Sequence, residues 1–324
     1  MKLFSYLFLV LLVGLAAGPL AAGEKIYLIG ALAGEDQFVP AFEGFKKRME
    51  ELGYIEGKNI KYEFQNGMGD HDRLKKLAKK LVQEKPDVIV TSSTTATLPV
   101  AGLTEGTDLP VVFLSAGDPL RFVKSYASSE NNMTGIASGS LDLIAKRLEL
   151  LKELSPNIKR VIILFNPLGP NPEQYLQLSR DASRRLGLTP VEREIRANNA
   201  GGVKAGLASI SRKMGDAVFT PPDAIFVAAT EAIVQLSIRE KLPVVGPNVQ
   251  TVRKGMLAGY SSDYYSLGQQ GAVLVNKILK GAKPTDLPIE QPGKLQLVLN
   301  LKTAKAIGLT IPKEILLRAD EVVQ

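Results

Sequence analysis

Short apolar runs of strand type and longer runs of helical period take turns from Lys25 almost to the end of the chain, and this alternation limits the fold more than any other feature. Lys25 to Ala31 is a brief run with β-branched and aromatic members, suited to a buried strand. Phe38, Phe42, Phe45, Met49 and Leu52 then recur at helical spacing, and Gly53 stops the helix. Asn59 to Phe64 alternates as a strand, and Leu74, Leu77, Ala78, Leu81 and Val82 mark a helix that ends before Pro86. Asp87 to Val90 and Val111 to Leu114 read as strands flanking a helix over Thr95 to Leu103. A second series begins near Thr134. Its helices are Leu141 to Leu154, Pro172 to Leu186, roughly Val203 to Met214, and Glu231 to Lys241. Its strands are Arg160 to Phe165, Pro190 to Ile195, Ala224 to Ala228 and Pro243 to Val245. Strands alternating with helices imply parallel sheets covered on both faces, and two series imply two lobes. The end is less regular: Met256 to Tyr260 as a strand, Tyr264 to Leu279 as a helix, and Leu295 to Leu299 as a last apolar strand. A lone strand and helix after a complete lobe point to a chain that crosses back.

The first residues have the order of an export signal: Met1-Lys2, an apolar run from Leu3 to Ala16, then small residues Ala21-Ala22-Gly23. The rival reading is a membrane anchor, but a span needs about 20 apolar residues, and Gly18-Pro19 breaks this shorter run. Residues 1–23 are therefore expected to be a signal peptide, cut between Ala22 and Lys25. The chain has no cysteine. An exported chain without disulfides needs a core large enough to stand alone. With no cysteine for a lipid anchor, a freely diffusing periplasmic protein is expected. The formal charge is +7, spread over the polar sides of helices (Lys46-Lys47-Arg48, Lys75-Lys76, Lys79-Lys80) with no aromatic residues between. These are solvated faces, and nucleic acid is not an expected partner.

Several segments carry a family resemblance in the right order along the mature chain. They are Gly53-Tyr-Ile-Glu-Gly-Lys-Asn-Ile, Asp118-Pro119, Lys146-Arg-Leu-Glu-Leu-Leu-Lys and Ile278-Leu-Lys-Gly-Ala-Lys-Pro. The most specific block runs from Leu287-Pro-Ile-Glu-Gln-Pro-Gly-Lys through Leu297-Val-Leu-Asn-Leu-Lys-Thr-Ala-Lys-Ala-Ile-Gly-Leu-Thr-Ile-Pro to Leu317-Arg-Ala-Asp-Glu-Val-Val. The chain resembles the ABC-transporter substrate-binding family that includes tryptophan- and tyrosine-type receptors. It departs from that pattern at Ser128-Ser-Glu-Asn-Asn-Met before Thr134-Gly135, and its Gly259-Tyr-Ser-Ser-Asp-Tyr-Tyr is related to the family's cleft segment without matching it. The resemblance implies the type I periplasmic-binding fold: two Rossmann-like α/β lobes, three crossovers and a ligand cleft between them. The expected division is 24–138 plus 260–287 for lobe 1, and 139–259 plus 288–324 for lobe 2. It also implies a small organic ligand, an aromatic or other amino acid, with a permease and an ATPase as partners of a monomer.

Open α/β sheets bind ligands beyond the carboxyl ends of their strands. There, Ser92, Ser93, Thr94 and Thr95 open a helix whose free N–H groups favour a carboxylate; the plainer reading is that one or two of them only cap it. Ser115 and Gly117 follow the next strand. Asp118 before Pro119 reads as a turn former or as a ligand group. Leu32 and Phe38 border the cleft in a type I arrangement, although Phe38 also fits the core stripe of its helix. Across the cleft stand Asn166, Tyr175, Thr230 and Asn248. Asp263 reads equally as an acceptor for a ligand ammonium and as a helix cap, while Tyr260, Tyr264 and Tyr265 offer flat faces with polar tips. Catalysis finds little support. The single histidine, His71, stands at a helix start between Asp70 and Asp72, as a solvated residue would. Thiol chemistry is excluded, no metal set is evident, and no nucleotide loop follows a strand, so no cofactor is expected. A sensor subunit for a membrane receptor would share the cleft and differ in partners; a hydrolase on this scaffold is the remaining alternative.

Overall fold

The structure, a computed structural model, describes residues 25–169 and 171–324; the expected signal peptide lies outside the described residues. The first part of the chain runs β1 (Tyr27–Ala33), α1 (Val39–Glu51), β2 (Ile60–Asn66), α2 (His71–Gln83), β3 (Val88–Ser92), α3 (Thr94–Thr104), β4 (Val111–Ala116) and β5 (Met133–Ala137). Its five strands are parallel, in the order β2-β1-β3-β4-β5. The middle continues α4 (Ile144–Leu154), β6 (Arg160–Phe165), α5 (Pro172–Arg185), β7 (Thr189–Glu194), α6 (Ala200–Leu207) and β8 (Ala217–Phe219). After it come α7 (Ala224–Ala228), α8 (Thr230–Glu240), β9 (Val244–Gly246), α9 (Val249–Arg253) and β10 (Ala258–Ser262). The chain closes with α10 (Tyr264–Leu279), β11 (Leu295–Asn300), α11 (Leu301–Ile307), α12 (Lys313–Leu316) and β12 (Glu321–Val323). The second sheet has the order β12-β11-β10-β9-β8-β6-β7, and only β10–β11 is antiparallel. These are the two α/β lobes of the type I periplasmic-binding fold.

Each sheet buries both faces, which is why β3, β4 and β6 read as nearly continuous apolar runs. In the first lobe Ile29, Val90, Val112 and Leu114 meet α1 and α10, while Ile89, Val111 and Phe113 meet α2 and α3. In the second, Val161, Ile163 and Phe219 pack toward α4 and α5, and Ile162, Leu164 and Val218 pack toward α6 and α8.

Two expected elements differ. Residues 224–228 form α7, not a strand, and the strand is the preceding Ala217–Phe219. Short apolar runs do not reveal their period, and Asp223 settles the matter by accepting the Ile225 N–H at 3.1 Å as a helix cap. The helix expected to Met214 stops at Leu207, having begun at an Asn199 cap 3.0 Å from the Gly202 N–H.

The returning segment packs on the first lobe. Helix α10 lies against α1 at Gly44 and Gly268, where Tyr265 and Ala41 backbone fills the space a side chain would need. Glu290 N–H then donates to Gly135 O, and Ala137 N–H to Glu290 O, both at 2.9 Å, beside β5. Side chains stitch the crossings together. Ser262 Oγ donates to Ser138 O at 2.6 Å, and Arg147 donates to Ser140 O at 2.9 Å and Tyr260 O at 2.7 Å.

Candidate ligand cleft

The carboxyl edges of the two sheets face each other, and side chains from their loops touch across the gap. Asn248, after β9, donates Nδ2–H to Gln37 Oε1 after β1 at 2.7 Å. Asn171, ahead of α5, donates to Asp118 Oδ2 after β4, also at 2.7 Å. Asp118 is thus an interlobe contact in place of a simple turn former. Asn248 does two jobs, because its Oδ1 also caps α9 by accepting from Thr251 N at 3.1 Å.

Two acids stand at this meeting. Glu35 follows β1 and Asp223 follows β8. Burial pushes the Glu35 carboxyl up; the Gln37 amide at 3.1 Å opposes that, and the charge of Asp223 on the other lobe adds to it. Burial likewise raises Asp223, offset in part by the Ile225 N–H. Two buried acids from opposite lobes, both held back from ionising chiefly by burial, thus stand on the facing sheet edges. Beside them Phe38 leans on Tyr264, ring centroids 5.0 Å apart, as an aromatic wall; burial raises the Tyr264 hydroxyl to about 12. On the second lobe Leu141, Phe165, Pro172, Tyr175, Pro221 and Asp223 line a shallow depression of about 20 Å³.

The expected site residues divide. The hydroxyls at the start of α3 are largely engaged within the lobe. Ser93 Oγ accepts from Ala96 N at 3.1 Å and pairs with Thr95 Oγ1 at 2.9 Å, while Thr94 Oγ1 accepts from Gly117 N at 3.0 Å. The plain capping role therefore holds for Ser93. Ser92 and Ser115 are buried, and Ser115 Oγ has no partner. Leu32 is core, packed with the α2–α3 layer. Asn166 lines the depression, where its amide donates to Ala197 O at 2.9 Å and also stands against the Asp223 carboxylate. Tyr175 stacks on Phe219, centroids 6.2 Å apart, and its buried hydroxyl has no partner.

Four expectations are corrected. Thr230 begins α8 away from any strand end and turns its hydroxyl to Val227 O at 2.6 Å, a consequence of α7 being helical. Tyr260 packs outward on the second-lobe core, in a groove with Lys146, Leu150 and Arg318. Asp263 makes no side-chain cap and pairs instead with Lys294 at 3.4 Å. Tyr265 is exposed, away from the wall formed by Tyr264. His71 is exposed, as a solvated residue should be.

Sequence reasoning missed Glu35, Gln37, Asn171, Asp223 and Arg147. Asp223 was hidden by the misplaced strand: Thr220-Pro221-Pro222-Asp223 is the true strand end. For Arg147 a signal existed. It sits among Ile144, Leu148 and Leu151 on the apolar stripe of α4, where a solvated arginine would not.

Two α/β lobes, stitched crossings and a cleft lined by both strand edges define the architecture of a two-lobe binding protein. The family model for the ABC transporter substrate binding protein matches residues 29–323, and the chain belongs to that family. It is 28% identical over 272 residues to a tyrosine-binding protein of Clostridioides difficile, covering 83% of this chain and 76% of that one. A conserved domain protein from Vibrio cholerae superposes with a TM-score of 0.83 at 27% identity, over 92% of this chain and 100% of the other. An ABC domain from Streptococcus pneumonia in complex with L-Trp gives 0.82 at 25% identity with the same coverage. The family captures substrate for a transporter and performs no chemistry on it.

Proposed function

We propose that this chain captures an amino acid outside the cytoplasm and hands it to the permease and ATPase of an importer, working as a freely diffusing monomer cut from its signal peptide. We draw lobe 1 as 25–138 plus 263–290 and lobe 2 as 139–262 plus 291–324, because β10 pairs within the second sheet through Ser262 and Glu290 pairs beside β5. The observation that carries the reading is the Glu35–Asp223 pair. A ligand ammonium between the two acids would satisfy both, and it would do so only when the lobes are together. A ligand drives closure through contacts made better in the closed state than in the open one. Phe38 and Tyr264 supply a flat wall for an aromatic side chain, in keeping with the ligands named for two relatives. Donors for the acid end are the free N–H groups in the first turn of α3.

A thermal-shift screen of amino acids, nucleobases, short carboxylates and sugars tests this. A ligand at 100 times its Kd adds about 2.7 kcal/mol, or about 4 °C at this chain length. Stabilisation by another class with none by amino acids would overturn the ligand assignment. Small-angle scattering with and without the hit tests closure, and superimposable profiles would sink it.

A further inference from the structure

Arg147 is only 1% exposed and heads the fully buried side chains by volume. Its described partners are two backbone carbonyls, Tyr260 O and Ser140 O. No carboxylate among the described residues pairs with it. A buried charge without a counter-charge is costly, and proteins rarely keep one without a use. Stitching the crossings does not require a charge. Elsewhere in this molecule neutral amides hold loop carbonyls, as Asn166 holds Ala197 O at 2.9 Å and Asn300 holds Val252 O at 3.1 Å. The guanidinium is therefore surplus to the stitching it performs. Burial lowers its pKa to about 10, which leaves it charged at neutral pH. Its helix α4 packs against α5, which carries Tyr175 to the lining of the second-lobe depression. The Tyr175 hydroxyl is itself buried and unpartnered.

We infer that Arg147, seconded by the Tyr175 hydroxyl, reads an oxygen of the ligand and forms the positive pole that complements Glu35 and Asp223. This rests on the proposed capture of an amino acid, and it narrows the ligand to one whose acceptor oxygen reaches the second lobe. That oxygen comes either from the α-carboxylate or from a hydroxyl on the side chain.

The test compares the wild-type protein with Arg147→Met, Arg147→Lys and Tyr175→Phe by calorimetric titration. The probes are L-tyrosine, tyramine (no carboxylate) and L-phenylalanine (no phenol). The wild type should prefer L-tyrosine over one of the two analogues by about 100-fold or more, since a site built to bond an oxygen rejects the analogue lacking it. Arg147→Met should erase that preference while leaving the other ratio unchanged. A collapsed tyrosine-to-tyramine ratio assigns the carboxylate, and a collapsed tyrosine-to-phenylalanine ratio assigns the phenol; either supports the inference. Arg147→Lys keeps a charge and should retain part of the preference. If Arg147→Met does not fold, Arg147→Lys and the near-isosteric Tyr175→Phe carry the comparison, each lowering the same ratio. Uniform weakening with unchanged ratios would reduce Arg147 to a hinge stitch and overturn the inference, leaving the proposed function standing. Failure of the wild type to bind any of the three probes would overturn this inference, while the amino-acid reading answers separately to the thermal-shift screen.

Discussion

The contact between α1 and α10 sets up a quantitative test. A Cβ added at Gly268 would lie 2.7 Å from the Ala41 carbonyl carbon and 2.8 Å from Phe45 N, and closer still to Ala41 O. Ordinary contacts begin near 3.4 Å, and the obstacle is backbone that cannot swing aside. Gly268→Ala must therefore part the helices by at least about half an ångström, enough to forfeit roughly a quarter of the dispersion energy at the crossing. Overpacking of this kind costs about 1–3 kcal/mol, and with backbone as the obstacle the upper figure applies. The better helix propensity of alanine returns about 1 kcal/mol. The net loss is about 2 kcal/mol, a fall in Tm of about 3 °C for a chain of this size. Gly102 is the control: it is exposed within α3, with nothing near its would-be Cβ. Gly102→Ala should gain about 0.5–1 kcal/mol. The two variants, melted side by side by circular dichroism, should move in opposite directions. A neutral or raised Tm for Gly268→Ala would refute the claim that backbone proximity at this crossing demands glycine.

Other expectations concern the cleft. Glu35 and Asp223 both sit above their ordinary values of 4.5 and 3.8. Their contribution to stability is complete below those values and is lost as pH rises through the raised folded-state ones. Glu35→Gln with Asp223→Asn should flatten that part of the Tm–pH profile, raise the ligand-free Tm at pH 7 and weaken binding of an aminated ligand; an unchanged profile would remove the acid pair from the account. Gln37→Ala breaks the bridge to Asn248 but spares the α9 cap, so it should lower the closed population by about 0.5–1.5 kcal/mol, or roughly 2- to 12-fold, read by interlobe fluorescence transfer in ligand-free protein. Disrupting the Asp118–Asn171 bridge with Asn171→Ala should act in the same direction by a similar amount, and equal transfer efficiencies would show that the bridges carry no closing energy.

Period and punctuation made the sheets legible. Apolar strands between amphipathic helices told where each lobe's layers lie, and the C-terminal block told the family. Runs of three to five apolar residues were not legible, because they fit strand and helix alike. Ala217–Phe219 and Ala224–Ala228 exchanged roles for that reason. The cleft was legible by position and poorly by side chain. A hydroxyl-rich turn such as Ser92-Ser93-Thr94-Thr95 looks equally like a ligand seat and a set of local caps, and only tertiary geometry showed that most of its oxygens bond within the lobe. Glu35 and Asp223 depend on which residues face each other across some 190 positions of sequence, which no local pattern encodes.

Because α10 supplies Leu267, Leu274, Val275 and Ile278 to the same core as Phe42 and Phe45, the first lobe cannot finish folding until the chain has been made to about residue 280. The second lobe waits longer still, for Leu297 and Leu299 of β11. Neither half can therefore mature early on the ribosome while the other is being synthesised. A polypeptide wired this way stays loose until nearly its whole length exists, which suits the export proposed above for this chain.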